Sequence, residues 1–271
     1  MNLDEIFEPI KSELDLVKKE LDKISDEIED TNSKVVLKRF LSFKGKLLRP
    51  ALLLLIAGAF NELQFHENKH KLILGASAME LIHNASLIHD DIVDNDMFRR
   101  GSETLNNIYG SKLAVLVGDA LFARALTIII SEFSKDITSK IIVMVKQMSS
   151  IELKQLTQKK DLASKESYFD LIKQKTGILM SCSCMLGAKL TCEDSRSISK
   201  AEEFGLYFGI VYQLMDDYID DDNILLEING IKEVGKYARL TVDCLKDVEC
   251  SIYKEKLVDL LNYVIGLSHH Y

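Results

Sequence analysis

An all-α helical bundle is the fold class this sequence predicts, and three observations carry the prediction. The chain has two prolines, Pro9 and Pro50, so residues 51–271 contain none and nothing there breaks intrahelical hydrogen bonding. The composition leans on Leu, Ile, Lys and Glu; Leu, Lys and Glu lose little side-chain freedom in a helix. Apolar positions recur three and four apart, as at Leu14, Val17, Leu21, Ile24 and Ile28 with charges between them, which lays one stripe along a helix face.

The elements follow in order. The stripe from Leu14 to Ile28 predicts an amphipathic first helix that packs on the bundle or a dimer mate, and Val36, Leu37, Phe40 and Leu41 continue the pattern. NELQFHENKH (61–70) reads as a connection and LILGASAMELIHNASLI (72–88) as a buried helix. NDMFRRGSETLNN (95–107) reads as a second connection. LTIIISEF (126–133) and KIIVMVKQM (140–148) are β-branched enough for strands, but alternating polar residues and strand-type turns are missing, so both are read as buried helices. Further connections are expected near 159–167 and at DDDNILLEING (220–230). With 271 residues, 47% hydrophobic, no repeat and no low-complexity linker, one domain spanning 1–271 is expected.

Composition also excludes partners. A net charge of −8 without a dense basic stripe argues against nucleic acid. No uninterrupted apolar run approaches the length of about 18 residues that spans a bilayer, so no integral membrane span is expected. The acidic, amphipathic start lacks a secretory signal, which predicts a cytoplasmic protein. Transient contact of the first helix with a membrane surface is conceivable, though its acidic face disfavours it. Five cysteines, an odd number without a CxxC pair, read as small apolar residues.

Two acidic clusters carry the chemistry. Asp90-Asp91-Ile92-Val93-Asp94 ends one apolar run, and Asp216-Asp217-Tyr218-Ile219-Asp220 ends another, GLYFGIVYQLM. Residues four apart share a helix face, so each cluster projects two carboxylates together. Such pairs repel unless a cation lies between them, and all-oxygen ligands suit magnesium, which adds waters and substrate phosphates. One such cluster could be a solvated helix end; two at the ends of similar buried runs point to metal ions around one diphosphate. Lys46 and Arg49 in GKLLRP, the Arg99–Arg100 doublet, and Lys175–Thr176 in KQKTG supply cations and a hydroxyl, and guanidinium forks suit diphosphate oxygens.

With GKLLRP (45–50), ELIHNASLIHDDIVDNDMFRRG (80–101), GDALFA (118–123), KTG (175–177) and YQLMDDYID (212–220) in this order, the sequence resembles the trans-isoprenyl (polyprenyl) diphosphate synthases over roughly residues 40–220. The resemblance implies the isoprenoid-synthase helical bundle with a central cavity, as a homodimer, using Mg2+. It implies that Lys46, Arg49, His83 and Arg100 hold the diphosphate of isopentenyl diphosphate. Asp90, Asp94 and Asp216 would ligate magnesium on the allylic prenyl diphosphate, with Asp220 close by, and Arg99, Lys175, Thr176 and Gln213 would contact that substrate. The implied reaction is ionisation of the allylic carbon–oxygen bond, attack by the isopentenyl double bond, and loss of a proton.

Two departures stand out. The family's glycine-glycine-lysine-arginine opening is Lys44-Gly45-Lys46-Leu47 here, one cation short, so weaker isopentenyl diphosphate binding is expected. After Asp220 the family carries a loop with glycine-lysine and lysine-threonine-leucine-proline elements, and DDDNILLEINGIKEVGK has no counterpart; the abrupt join at 222–227 favours a missing segment over a short lid. On a helix, Ala85 and Ser86 lie about one turn below Asp90, and both are small, which predicts a long product of the hexaprenyl-to-decaprenyl class, centred on octaprenyl.

The alternatives are a short-chain (farnesyl or geranylgeranyl) synthase, a terpene cyclase, a non-catalytic partner subunit, and a di-iron bundle oxidoreductase. A cyclase needs no isopentenyl site, and a silent subunit should have lost one acidic cluster. The di-iron reading rests on Glu67-x-x-His70 and Glu80-x-x-His83; the first of these falls in an expected connection, whereas such ligands should face inward from separate helices.

Overall fold

The structure, a computed structural model, describes residues 2–42, 45–99, 101–157, 165–219 and 230–266. Helices α1 (Leu3–Ile6), α2 (Lys11–Asp26), α3 (Thr31–Ser42), α4 (Leu48–Phe60), α5 (Glu62–Glu67) and α6 (Lys69–Val93) precede a small hairpin, β1 (Phe98–Arg99) with β2 (Ser102–Glu103). They are followed by α7 (Leu105–Tyr109), α8 (Ser111–Glu132), α9 (Lys135–Thr157) and α10 (Lys165–Ile172). A π-helical turn at Lys173–Gly177 then leads into α11 (Ile178–Thr191), and α12 (Ser195–Ile219), α13 (Gly230–Asp243) and α14 (Ile252–Gly266) complete the bundle.

Helix α4 is apolar all round, and Leu52 to Ala57 are fully buried, as expected of a helix surrounded by others. It packs against α6, α11 and α14, while α6 lies along α8 and α11 along α12. The α2 stripe behaves as its spacing predicts: Leu14, Val17, Leu21 and Ile24 are buried where α2 meets α6. Ion pairs fix its rim. Lys69 Nζ lies 2.5 Å from Glu13 Oε1, and Arg124 of α8 reaches Glu20 at 3.2 Å and Glu27 at 3.1 Å.

Helix α8 is long and apolar enough, by length and composition alone, to cross a membrane; here it packs along α6 and its Arg124 is tied to α2. The thiols of Cys182, Cys184 and Cys244 are buried, and burial pushes Cys182 up to about 12 and Cys244 up to about 11. They act as small core fillers, as their spacing suggested.

Several expectations need correction. Residues 61–70 are a short helix, α5, and the start of α6 instead of a connection; Asn61 caps α5 by accepting from the Gln64 N–H at 3.1 Å, a signal of the kind that starts helices. The connection at 95–107 contains the hairpin and α7. Residues 126–133 and 140–148 are helical, but not wholly buried: Ile130, Ile142 and Val143 are exposed. The connection near 159–167 is helical from Lys165, and both its earlier part and the segment after Asp220 lie outside the described residues.

Candidate active site

The first acidic cluster sits where α6 stops, and local sequence sets the stop. Asn95 adopts the left-handed conformation (φ 57°), which asparagine tolerates better than most residues. The Asp96 N–H then donates to the Asp91 carbonyl at 2.9 Å and the Asn95 N–H to the Ile92 carbonyl, the bond pair of a Schellman helix end. The chain doubles back into the hairpin, turning at Gly101 (φ 75°). Thr104 Oγ1 donates to the Asp96 carbonyl at 2.7 Å, and Asn106 Nδ2 to the carbonyls of Asp91 (3.2 Å) and Asp96 (3.1 Å). This reversal returns Arg99 to the helix it left: its Nε donates to Asp91 Oδ1, and Asp96 lies within 3.4 Å of its Nη2.

The second cluster is positioned by close helix packing. A β-carbon on Gly209 of α12 would fall 2.7 Å from the Gly177 Cα, and one on Gly205 would fall 2.5 Å from the Met180 carbonyl oxygen, so only glycine lets these backbones approach. One turn beyond Gly209 stands Gln213, and next along that face Asp216 and Asp217. Opposite, the π-helical turn presents Lys175 and Thr176; π-bulges interrupt helices mostly at functional sites. Thr176 Oγ1 donates to Gln213 Oε1 at 2.7 Å, Gln213 Nε2 donates to Asp217 Oδ1 at 2.7 Å, and the Tyr168 hydroxyl donates to Asp217 Oδ2.

These pieces enclose one cleft of about 770 Å3. Lys46, Arg49, His83, Ser86, Asp90, Asp94, Arg99, Lys175, Thr176, Gln213 and Asp216 all line it, so nearly every residue singled out in the sequence converges there. Arg100 and Asp220 lie outside the described residues. Beneath the cleft a second cavity of about 300 Å3 shares Ser86, Asp90 and Lys175 with it and is walled by Ala85, Val93, Phe122, Val145, Met148 and Leu156, among others. His89 borders it as well, its ring so close to Gly118 that a β-carbon there would lie 2.4 Å from Nε2; this accounts for the glycine of GDALFA.

Sequence reading missed Glu80, Glu152, Tyr168 and Phe122. Glu80 is buried on the cleft wall; its place three residues before His83 was visible, but it was weighed only as a metal motif. Glu152 lies 3.6 Å from Lys175 Nζ, on a helix whose sequence gave no separate signal. Leu47 is unusual in another way: it caps α4 in the left-handed conformation (φ 50°) while lining the cleft, a strained backbone for a branched side chain.

Burial dominates the electrostatics of the site. Burial pushes the Asp90 carboxyl up to about 6, and Glu152 and Asp94 push in the same direction, against Lys175 and Arg99. Burial also raises Asp91, although Arg99 opposes the shift. A divalent cation beside Asp90 would favour its ionised carboxylate. Among the described residues no three acidic, histidine or cysteine side chains close into a cage by themselves. Magnesium does not need one, because it commonly uses one or two carboxylates and completes its shell with water and phosphate oxygens.

Comparison with known proteins places the chain in a family. The polyprenyl synthetase family model matches residues 31–223. A geranylgeranyl pyrophosphate synthase of Geoglobus acetivorans is 32% identical over 85% of this chain and 70% of its own length. A decaprenyl-diphosphate synthase of Dictyostelium discoideum is 34% identical over 67% of this chain but only 39% of its own. In fold, the chain is similar to a Caulobacter crescentus polyprenyl synthase solved with calcium and isoprenyl diphosphate, at a TM-score of 0.87 and 20% identity over 98% of both chains. With its all-α isoprenoid-synthase bundle and a match over most of its length, this chain belongs to the polyprenyl synthetase family of prenyltransferase enzymes.

Proposed function

We propose that this protein lengthens an all-trans prenyl chain by condensing isopentenyl diphosphate with an allylic prenyl diphosphate. The observation that carries the reading is the cleft itself: Asp90, Asp94 and Asp216 share it with Lys46, Arg49 and His83, and an apolar cavity opens from it past Asp90. Two diphosphate headgroups require cationic partners, and a growing hydrocarbon requires a dry wall beside them.

Magnesium, held by Asp90, Asp94 and Asp216, would supply the positive charge that makes the allylic diphosphate a leaving group. The Caulobacter protein, solved in complex with calcium and isoprenyl diphosphate, supports a divalent ion here. Arg99 and Lys175 grip the allylic diphosphate; Lys46, Arg49, His83 and Arg100 hold the isopentenyl diphosphate. Thr176 and Gln213 contact the allylic substrate from the π-helical turn and α12. Apolar walls exclude water from the cationic transition state. The proton lost after condensation passes to the released diphosphate, so no side-chain base is required.

Product length is read from the cavity, because the named relatives range from geranylgeranyl to decaprenyl synthases. Small Ala85 and Ser86 border its upper part, and Leu156 at its wall is exposed, so a tail can grow past them. The small side chains of Ala85 and Ser86 support a long product, centred on octaprenyl, and Phe122 in the same wall is the bulky side chain that such a tail must pass. The exposed apolar side chains of α8, Val115, Leu116 and Ile130, are the face we assign to a homodimer partner. We place the enzyme in the cytoplasm.

Incubation with labelled isopentenyl diphosphate, farnesyl diphosphate and magnesium, followed by chromatography, tests the reaction. Elongated products are expected; none would overturn the function. In the same assay Ala85→Phe should shorten the product by several isoprene units, and an unchanged length would remove the cavity from the account.

A further inference from the structure

Tyr168 is not part of the cleft wall, yet it touches the second acidic cluster. It is 4% exposed on α10, wedged beside Phe169, which stacks on Tyr237 of α13. Its hydroxyl donates to Asp217 Oδ2. Asp217 in turn accepts from Gln213 Nε2, and Gln213 Oε1 accepts from Thr176 Oγ1. Of these four residues only Thr176 and Gln213 line the cleft.

The direction of each bond is forced. An ionised carboxylate only accepts, so Asp217 must receive the amide edge of Gln213 and the hydroxyl of Tyr168. An amide turned that way has only its oxygen left for Thr176, and the threonine hydroxyl, with a single proton, must donate it. The remaining lone pairs of Thr176 are then acceptors beside the cleft. Were Asp217 to swing away, the Gln213 amide could flip, and Thr176 could turn its proton outward.

We infer that Tyr168 is a positioning residue: it holds Asp217 in place, and through Asp217 and Gln213 fixes Thr176 as a hydrogen-bond acceptor. The inference rests on the proposed prenyl transfer for its meaning. An acceptor beside the ionising allylic group favours the positive charge that develops there, whereas a proton would oppose it. The effect belongs to the transition state more than to substrate binding.

The test is a double-mutant cycle of Tyr168→Phe with Gln213→Ala, and Asp217→Asn as a second variant that keeps the shape of the side chain. Removing one hydrogen bond to a carboxylate should lower kcat about tenfold, with KM for both substrates within about twofold. Calorimetric affinity for inorganic diphosphate with magnesium should be equally unmoved. In the Gln213→Ala background, Tyr168→Phe should have no further effect, because its influence passes through Gln213. A general packing defect would instead add to Gln213→Ala. A crystal structure of Tyr168→Phe should show the Asp217 carboxylate turned from its wild-type rotamer. Unchanged kcat, an additive cycle, or an unmoved Asp217 would each overturn the inference. Failure of the wild-type protein to elongate any primer would overturn the proposed function, while the Asp217 rotamer would still decide the role of Tyr168.

Discussion

The two acidic clusters share a five-residue pattern and are wired differently. In the first, the middle aspartate Asp91 is bound by Arg99, eight positions along the chain, and its own backbone carbonyl is held by Asn106. In the second, the middle aspartate Asp217 is bound by Gln213, four positions back, and by Tyr168, forty-nine positions back. One cluster is therefore a local unit, made by a helix end, a left-handed asparagine and a hairpin. The other exists only once α10, the π-helical turn and α12 have packed. Spacing decides which carboxylates can share a face; the partner of the odd carboxylate is whatever the neighbourhood provides.

The division between cleft-facing and protein-facing aspartates can be broken most directly at Asp90 and Asp216. Asp90→Ala or Asp216→Ala should lower kcat about a thousandfold, and a variant keeping a tenth of wild-type turnover would end the idea that the two clusters act on one diphosphate. Next comes Arg99→Ala, which leaves Asp91 buried beside other carboxylates. Breaking a buried pair costs 3–5 kcal/mol; with Arg99 partly exposed, about 2 kcal/mol is expected, read as a lowered Tm. Asp216→Ala should lower Tm by much less, since that side chain is exposed. Equal effects on Tm would erase the distinction between scaffold and cleft carboxylates.

A smaller effect is expected at the isopentenyl end. Leu47→Arg should restore a missing cation and lower KM for isopentenyl diphosphate about tenfold, the scale of one charge-assisted hydrogen bond; an unchanged KM would mean that position 47 does not reach the substrate. Smallest is the pH effect. Asp90 has its carboxyl raised from 3.8 to about 6, so in the metal-free protein its contribution to stability is present at low pH and lost as pH rises through about 6. Magnesium competes with that proton. The Tm gain from magnesium and inorganic diphosphate should therefore be larger at pH 7.5 than at pH 5, measured by calorimetry; a gain independent of pH would detach Asp90 from the metal.

Much of this was legible in the sequence for reasons of locality. The proline-free run and the stripe of Leu14, Val17, Leu21 and Ile24 report helix and buried face through the helix period alone. The pairing of Asp90 with Asp94 follows from the same period, and the structure brings Asp90, Asp94 and Asp216 to one cleft with Lys46, Arg49, Lys175 and Gln213. Local reading erred where apolar side chains were taken as buried: Ile130, Ile142 and Val143 are exposed, because hydrophobicity does not state whether another helix lies opposite. It also missed α5, whose cap at Asn61 was masked by a polar composition.

By itself, then, the sequence determined the helices, their buried faces and the carboxylates that each helix end can present, because those depend on residues within a turn or two of one another. Only the tertiary structure decided how near α12 stands to the π-helical turn, which glycine contacts between Gly177 and Gly209 set. It also decided which aspartates are spent on the scaffold: Asp91 on Arg99, and Asp217 on Tyr168 and Gln213. Hydrogen bonds act over about 3 Å, and nothing in the linear order of residues says that Tyr168 will come that close to Asp217.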